Sequence, residues 1–253
     1  SGGGAGIRAD IKAVTMLDAF AATAITALTA QNTEGVHGVL PIDPAFIRRQ
    51  MEVVLDDIGA DAIKTGMLHD AAVIETVAAV LAEWAPATPL VLDPVMVAKG
   101  GAPLIQADAI DALKTRLVPR AAVLTPKLPD AEILCGRTIG AVAAMRGAAR
   151  ALLALGCGAV LLKGGHLDGD LVHDVLASDA GFQEWTSPRI ASRHTHGTGC
   201  TLASAIAAGL AQGMAVPAAV ERARAYVWRA IASAPGFGRG HGPLDHAHPL
   251  RAI

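Results

Sequence analysis

The chain has 253 residues, of which 52% are apolar and 17% charged, and this balance excludes an intrinsically disordered protein. The formal net charge is −2, so we expect neither a nucleic-acid partner nor a membrane partner. Its three cysteines are far apart, which argues against a disulfide framework and suits a reducing compartment. No N-terminal secretion signal is recognisable, and we therefore expect a cytoplasmic protein.

Short apolar runs alternate with helical patterns along the chain. After a glycine-rich start that leads into a helix near Ala5, helical patterns cover 44–59, 70–85, 107–119 and 141–156, and strand-like runs cover 61–68, 89–96, 121–126 and 157–165. The stretch 171–188 predicts a hairpin at one end of the sheet, and 201–220 a buried helix followed by a turn. This alternation predicts βαβ units in a single α/β domain over residues 1–253.

Polar or glycine-rich residues follow the predicted strands. Ligands bind beyond the carboxyl ends of the strands in parallel sheets, so we expect a site there. The segments are TAQNT (29–33), TGML (65–68), DPVMVAKGG (93–101), TPKLPD (125–130) and KGGH (163–166). Asp93 suits Mg²⁺ bound through water, or alternatively caps a loop. Lys163 suits a phosphate, or alternatively lies in solvent.

The stretch HGTGC (196–200) precedes a long uncharged helix and indicates an anion-binding turn. Glycines at 197 and 199 can adopt backbone angles closed to other residues, so that successive N–H groups point into one concavity. The following helix adds its free N–H groups and the positive end of its dipole. Helix N-termini also favour the thiolate form of a cysteine such as Cys200. The alternative is a structural turn with a small buried cysteine.

The histidines around this stretch and near the C-terminus carry a weaker pattern. They are His194, His196, His241, His246 and His248. Because no cysteine or carboxylate is spaced to complete a zinc site with them, we expect surface histidines.

Seven segments, taken in order, resemble the ribokinase-like superfamily. Within it they look closely like the hydroxymethylpyrimidine/phosphomethylpyrimidine kinases of thiamin biosynthesis. The segments are SGGGAGIRADIK (1–12), TALTAQNT (26–33), IKTGML (63–68), LDPVMVAKGG (92–101), LTPKLPDAE (124–132), LLKGGHL (161–167) and HGTGCTLASAIAAGLA (196–211). The resemblance implies a ribokinase-like three-layer sandwich with a mostly parallel central sheet flanked by helices. It also implies a homodimer.

The chemistry that the resemblance implies is phosphoryl transfer from ATP, with Mg²⁺, to the hydroxymethyl oxygen of 4-amino-5-hydroxymethyl-2-methylpyrimidine. A second transfer would convert the monophosphate to the diphosphate. Gly197, Thr198, Gly199 and Cys200 would form the anion hole. Cys200 stands where most ribokinase-like enzymes place an aspartate base, so it would take the proton from the attacking hydroxyl.

The resemblance also implies a substrate pocket. The side-chain amide of Gln31 would pair with the aminopyrimidine edge, since an amide offers both a donor and an acceptor. Asp10, Met67 and Val95 would line the same pocket.

On the nucleotide side, Asp93, Thr125, Lys163 and Asp130 would face the ATP phosphates, with Asp93 and Asp130 towards Mg²⁺. One departure falls here, because Lys127 and Asp130 stand where the family usually has Asn-x-x-Glu. The carboxylate is kept but shortened, and a cation replaces a neutral amide near the metal.

A second departure is the start of the chain. Family members carry a strand before the Ser-Gly-Gly run, so we expect that a native segment precedes Ser1. Two other functions stay open. A pyridoxal or pyridoxine kinase shares the fold and, in some branches, the glycine–cysteine motif. A non-catalytic pyrimidine-binding relative would explain Lys127 and the short Asp130.

Overall fold

The computed structural model describes residues 1–96 and 105–251, which form two compact units. The first unit comprises Ser1–Ile63, Thr76–Thr88 and Ile190–Ile253, and the second comprises Lys64–Glu75 and Pro89–Arg189. Of the predicted strand-end segment 93–101, residues 97–101 lie outside the described part of the chain.

Helices and strands alternate as the sequence predicts. The helices are α1 (Ile7–Met16), α2 (Pro44–Asp57), α3 (Ala71–Trp84), α4 (Ala107–Ala112), α5 (Leu128–Cys135), α6 (Val142–Leu153), α7 (Thr198–Ala211) and α8 (Val216–Ala232). Shorter helical turns are the π-helical Leu113–Leu117 and the 3-10 turns Val118–Arg120 and His248–Arg251. The strands are β1 (Ala27–Gln31), β2 (Val36–Pro41), β3 (Ile63–Thr65), β4 (Leu90–Leu92), β5 (Val123–Leu124), β6 (Ala159–Lys163), β7 (Leu171–Ser178) and β8 (Gly181–Pro188).

The second unit is built on a six-stranded sheet in the order β3–β4–β5–β6–β7–β8. Strands β4, β5 and β6 are parallel, and β7 and β8 extend the sheet as the predicted antiparallel hairpin. Every residue of β4 is buried, as a continuous apolar run on a sheet covered on both faces requires. Helices α5 and α6 pack against β6. The predicted fold class, a mostly parallel sheet flanked by helices, is confirmed.

The first unit contains a small sheet and, among its helices, the closely packed α1, α7 and α8. β1 and β2 pair antiparallel in a two-stranded sheet of their own. α7 packs against both α1 and α8. A β-carbon at Gly209 of α7 would lie 2.8 Å from the β-carbon of Ala219 on α8, so small residues let these two helices approach closely.

Two segments differ from the sequence prediction. TAQNT (29–33) was expected at the end of a strand of the parallel sheet, but β1 belongs to the separate two-stranded sheet. A strand is predicted over 121–126, but β5 covers only Val123–Leu124. TPKLPD (125–130) follows this strand as predicted, and α5 begins within it at Leu128, with Pro129 and Asp130 in its first turn. Proline has no backbone N–H and a helix-compatible φ, so it is accepted there.

The stretch 201–220 consists of most of α7, a turn and the start of α8. None of the helices in the described residues is long and apolar enough to cross a membrane.

Candidate functional site

The N-terminus of α7 is shaped by a glycine that no other residue could replace without strain. Gly197 is the N-cap and has a left-handed φ of 84°. A β-carbon at this position would also overlap the carbonyl oxygen of Gly4. Gly199 lies inside α7, where the backbone is helical and open to other residues. Of the two glycines predicted to use unusual backbone angles, only Gly197 does so.

Cys200 lies half-buried in the first turn of α7. The hydroxyl of Thr198, in the same turn, donates to the carbonyl of Thr195 at 2.7 Å. The first turn of a helix carries backbone N–H groups without acceptors in the helix, and its dipole is positive at this end. The turn therefore suits an anion next to the Cys200 thiol.

The glycine-rich start of the chain joins β1 to this turn. The backbone N–H of Gln31 donates to the hydroxyl oxygen of Ser1 at 2.8 Å. Three residues further on, a β-carbon at Gly4 would lie 2.7 Å from Cδ2 of His196. The run of small residues at the start of the chain therefore lies between Gln31 and the N-terminus of α7. It contacts Gln31 at one end and the anion-binding turn at the other.

Asp10 contacts α7 one turn beyond Cys200. The hydroxyl of the buried Ser204 donates to Oδ1 of Asp10 at 2.8 Å. Residues four apart share one face of a helix, so Cys200 and Ser204 face the same way. The sequence marks Ser204 only as a polar residue in the apolar stretch and does not assign it to the site, although a hydroxyl four residues after Cys200 in an uncharged helix is a usable signal.

In the second unit, the predicted nucleotide-side residues lie at one edge of the sheet. Asp93 follows β4 and is only 4% exposed, and its Oδ1 lies 3.3 Å from Nζ of Lys163 at the end of β6. Thr125 follows β5 and is fully buried. Because β4, β5 and β6 are parallel, their carboxyl ends meet at the same edge. Lys163 is therefore part of an ion pair and not a solvated lysine.

A second carboxylate completes a group of charges that we term the sheet-edge cluster: Asp93, Lys127, Asp130 and Lys163. Asp130 is 1% exposed, accepts the N–H of Met96 at 3.3 Å and lies 3.8 Å from Nζ of Lys127. Burial raises the pKa of Asp130 to about 6, the negative charge of Asp93 adds to this rise, and the two lysines oppose it. The two carboxylates of the cluster are buried, and the two lysines that pair with them are half-buried.

The carboxylates of the sheet-edge cluster fit a hard cation. Mg²⁺ prefers oxygen ligands and usually keeps water and phosphate oxygens in its shell. Within the described residues, no group of three or more His, Cys, Asp or Glu could enclose an ion. Asp93 and Asp130 supply carboxylate oxygens of the kind that Mg²⁺ prefers.

Two residues that sequence reasoning missed shape the loop after Lys163. Oδ1 of the buried Asp174 accepts the N–H of Gly164 at 3.0 Å, and a β-carbon at Gly164 would overlap the carbonyl of His173. The Arg189 guanidinium donates to the carbonyls of Gly165, Leu167 and Gly169. These bonds fix the backbone of the glycine-rich loop, and no local pattern pointed to them.

The four residues assigned to the substrate pocket are divided between the units. Gln31, the last residue of β1, and Asp10 belong to the first unit. Met67, which follows β3, and Val95, which follows β4, belong to the second, and both are half-buried.

One of the histidines expected on the surface is in the interior. His246 is 4% exposed, and its Nε2 lies 2.9 Å from Oγ1 of the buried Thr201. The expectation of a surface position was wrong for this residue, because a satisfied hydrogen bond allows a neutral imidazole to be buried.

Comparison with known proteins decides the family. The sequence model of the family described as phosphomethylpyrimidine kinase matches residues 1–245. The chain belongs to the phosphomethylpyrimidine kinase family. Membership of this kinase family makes the chain a phosphotransferase.

Curated relatives of this kinase family match nearly the whole chain. A thiamine biosynthesis bifunctional protein ThiED of Geobacter sulfurreducens is 52% identical over 97% of this chain, which spans 50% of that protein. A hydroxymethylpyrimidine/phosphomethylpyrimidine kinase of Bacillus subtilis is 45% identical and covers 97% of this chain and 91% of its own length. Among solved structures, an ADP complex of a Bacillus subtilis pyridoxal kinase is 35% identical with a TM-score of 0.91, covering 99% and 95% of the two chains.

Proposed function

We propose that this kinase transfers the γ-phosphoryl group of ATP to the hydroxymethyl oxygen of 4-amino-5-hydroxymethyl-2-methylpyrimidine, and then phosphorylates the monophosphate to the diphosphate. The observation that carries the proposal is the position of Cys200 in the first turn of α7, behind the left-handed Gly197. We place this activity in the cytoplasm, where ATP is available and where the three cysteines, all outside disulfides, stay reduced.

In the proposed reaction the hydroxymethyl oxygen attacks the γ-phosphorus while the bond from that phosphorus to the bridging oxygen of ADP breaks. The Cys200 thiolate accepts the hydroxyl proton as the new ester bond forms. Backbone N–H groups of residues 197–200 and the dipole of α7 stabilise the charge on the transferred group. The second step repeats this chemistry with a phosphate oxygen of the monophosphate as the nucleophile.

On the substrate side, we assign recognition of the aminopyrimidine edge to Gln31. An amide can donate to a ring nitrogen and accept from the exocyclic amine at the same time. Asp10, held by Ser204, would orient the ring from α1.

On the nucleotide side, we assign the ATP phosphates to Lys163 and Thr125, and Mg²⁺ to Asp93 and Asp130. When bound, Mg²⁺ neutralises phosphate charge and so favours transfer. The ion pair with Asp93 holds the positive charge of Lys163 at the same edge of the sheet. Lys127, paired with Asp130, contributes a second fixed positive charge where the family usually has an amide.

A second candidate is phosphorylation of pyridoxal or pyridoxine. It is motivated by the structural similarity to a pyridoxal kinase of Bacillus subtilis, with a TM-score of 0.91. Pyridoxine is also a hydroxymethyl heteroaromatic, so the anion-binding turn would serve both substrates. Discrimination between the pyrimidine and the B6 vitamers would therefore depend on the residues that contact the ring, Gln31 first among them.

The test is an ATP-consumption assay with Mg²⁺ and four acceptors: the hydroxymethylpyrimidine, its monophosphate, pyridoxal and pyridoxine. Products are identified by mass. We expect the masses of both the pyrimidine monophosphate and the diphosphate. Consumption with the B6 vitamers alone would establish the second candidate. Tight pyrimidine binding without consumption of ATP would identify a non-catalytic binding protein.

We also propose that the protein is a homodimer formed through the β1–β2 hairpin. Leu28 and Leu40 are direct partners across the two strands and are 48% and 61% exposed, so the hairpin presents an apolar face to solvent. Leu40→Glu should shift the mass measured by light scattering from dimer to monomer. Leu250→Glu, at a matched exposure of 62%, should not. Monomeric wild-type protein at micromolar concentration would contradict the proposal.

A further inference from the structure

A buried pair of polar side chains, Thr201 and His246, links the first turn of α7 to the C-terminal segment. Thr201, which directly follows Cys200, is fully buried, and its Oγ1 lies 2.9 Å from Nε2 of His246. Hydroxyls inside helices commonly bond to a carbonyl of the preceding turn. Here the hydroxyl reaches a side chain 45 residues away in the sequence. The bond therefore links the first turn of α7 to the C-terminal segment of the chain.

The partners of the imidazole define the direction of this bond. Burial lowers the pKa of His246 to about 4, and the positive charges of Lys12 and His248 act in the same sense. The ring is therefore neutral near pH 7 and carries one proton. A hydrogen bond to the backbone of Leu244 favours the charged form, so the ring donates to that carbonyl. Because Nε2 faces Thr201, the proton is assigned to Nδ1, and Nε2 accepts from the Thr201 hydroxyl.

The segment that carries His246 is anchored to α8. The hydroxyl of the buried Tyr226 donates to the carbonyl of His246 at 2.8 Å. The N–H of Asp245 donates to the carbonyl of Ala230 at 2.9 Å. The ring of Tyr226 also packs on His248, with centroids 4.8 Å apart. The His246 segment is therefore bonded to α8, and α8 itself packs along α7.

The N-cap of α7 is a glycine, so no N-cap side chain bonds the first turn. A serine, threonine or aspartate at an N-cap bonds the N–H groups of the first turn and fixes its geometry. Gly197 has no side chain to do so, and the same N–H groups are assigned to the phosphoryl group. The Thr198 hydroxyl bonds the turn to the carbonyl of Thr195, and the bond from Thr201 to His246 ties it to the C-terminal segment.

We propose that His246 is a positioning residue that acts through Thr201 to fix the orientation of Gly197–Cys200 against the glycine-rich start of the chain. The catalytic part of this proposal rests on the proposed function, because it takes that turn to be the phosphoryl site. His246 itself touches neither the reacting atoms nor the nucleotide. Its expected effect is on kcat and on the reactivity of the Cys200 thiol, with little effect on the KM for the pyrimidine.

The test compares Thr201→Val, which removes the hydroxyl at constant shape, with Thr201→Ser, which keeps it. Thr201→Val and His246→Gln should each lower kcat by about 10-fold or more, since small misplacements of catalytic groups have effects of this size. Thr201→Ser should restore most of the activity. The double variant should lose little more than either single variant, because both remove the same bond.

A second readout does not depend on turnover. Alkylation by iodoacetamide is followed at Cys200 and Cys135 by peptide mass, with Cys135 as an internal reference outside α7. Thr201→Val should change the rate at Cys200 and leave that at Cys135 unchanged. Val220→Ala, a buried truncation on α8, supplies a variant that is destabilised without loss of the Thr201 hydroxyl.

Two results would overturn the proposal. One is a Thr201→Val protein whose kcat and Cys200 alkylation rate equal those of Val220→Ala. The other is a Thr201→Ser protein that loses as much as Thr201→Val. If wild-type protein phosphorylates none of the four acceptors, the proposed function fails by itself, and the alkylation rates still decide whether His246 positions the turn.

Discussion

The carbonyl oxygen of Gly4 lies against Gly197, in the space that a β-carbon at position 197 would occupy. This contact joins the glycine-rich start of the chain to the mouth of α7. It gives Gly197 a structural reason to be glycine in addition to its left-handed φ of 84°. The turn that exposes the anion-binding N–H groups is thus shaped by the backbone of another segment.

Gly197→Ala should therefore lower the free energy of unfolding by more than the left-handed backbone angle alone would cause. A left-handed non-glycine residue costs about 1–2 kcal/mol, and overlap with the Gly4 carbonyl adds to it. Gly213→Ala is the matched control, because Gly213 has a φ of 78° and no neighbour within 4 Å of the added β-carbon. Urea unfolding and kcat are measured for both. Equal loss of stability in the two variants, with kcat retained, would show that the Gly4 contact does not shape the turn.

Cys200→Ala should lower kcat by about 10²–10⁴-fold, the usual contribution of a general base, while the KM for the pyrimidine stays near that of wild type. Cys135→Ala removes a half-buried thiol at the end of α5 and should leave kcat unchanged. Steady-state kinetics of both variants checks this. A Cys200→Ala enzyme with wild-type kcat would remove the thiol from the mechanism.

Gln31→Ala should weaken binding of the pyrimidine more than binding of ATP, because only the pyrimidine edge uses the amide. Gln50→Ala is the control, since the Gln50 amide bonds both backbone groups of Ile25 and has a structural role. Separate KM values for the two substrates distinguish the cases. Equal increases in both KM values for Gln31→Ala would indicate a general loss of structure.

Much of the second unit could be predicted from the sequence because its strands carry a strong local pattern. The apolar runs of β4 and β6 end in Asp93 and Lys163, and parallel strands bring their carboxyl ends together. That these two side chains form an ion pair could not be predicted, since the contact spans 70 residues and depends on sheet order.

Features outside the parallel sheet were harder to predict. β1 looks like any half-buried strand, and its pairing with β2 depends on a turn that was not recognised. The start of α5 did carry usable signals, with Pro129 and Asp130 in its first turn and Gly136 after its end. The burial of His246 was not predictable, because its partner Thr201 lies in a distant helix.

The stability of the protein should depend on pH through His246. Its pKa is lowered from 6.5 to about 4, so between these values the unfolded chain binds a proton that the folded chain does not. The free energy of unfolding should fall on acidification through this window, by up to about 3 kcal/mol. Asp130, whose pKa is raised to about 6, acts in the opposite sense, so the difference between wild type and His246→Gln isolates the imidazole.

Urea unfolding of these two proteins at about pH 7.5 and about pH 5 measures that difference. The advantage of wild type over His246→Gln should be larger at the higher pH. The same advantage at both values would mean that the imidazole is not held neutral in the folded protein.

The most direct test of the proposed function is kcat/KM for the hydroxymethylpyrimidine and for pyridoxal, measured side by side with ATP and Mg²⁺. We expect the pyrimidine to have the higher value in wild type and to lose most of this advantage in Gln31→Ala. A pyridoxal value equal to or above that of the pyrimidine in wild type would contradict the assignment of Gln31 and of the substrate.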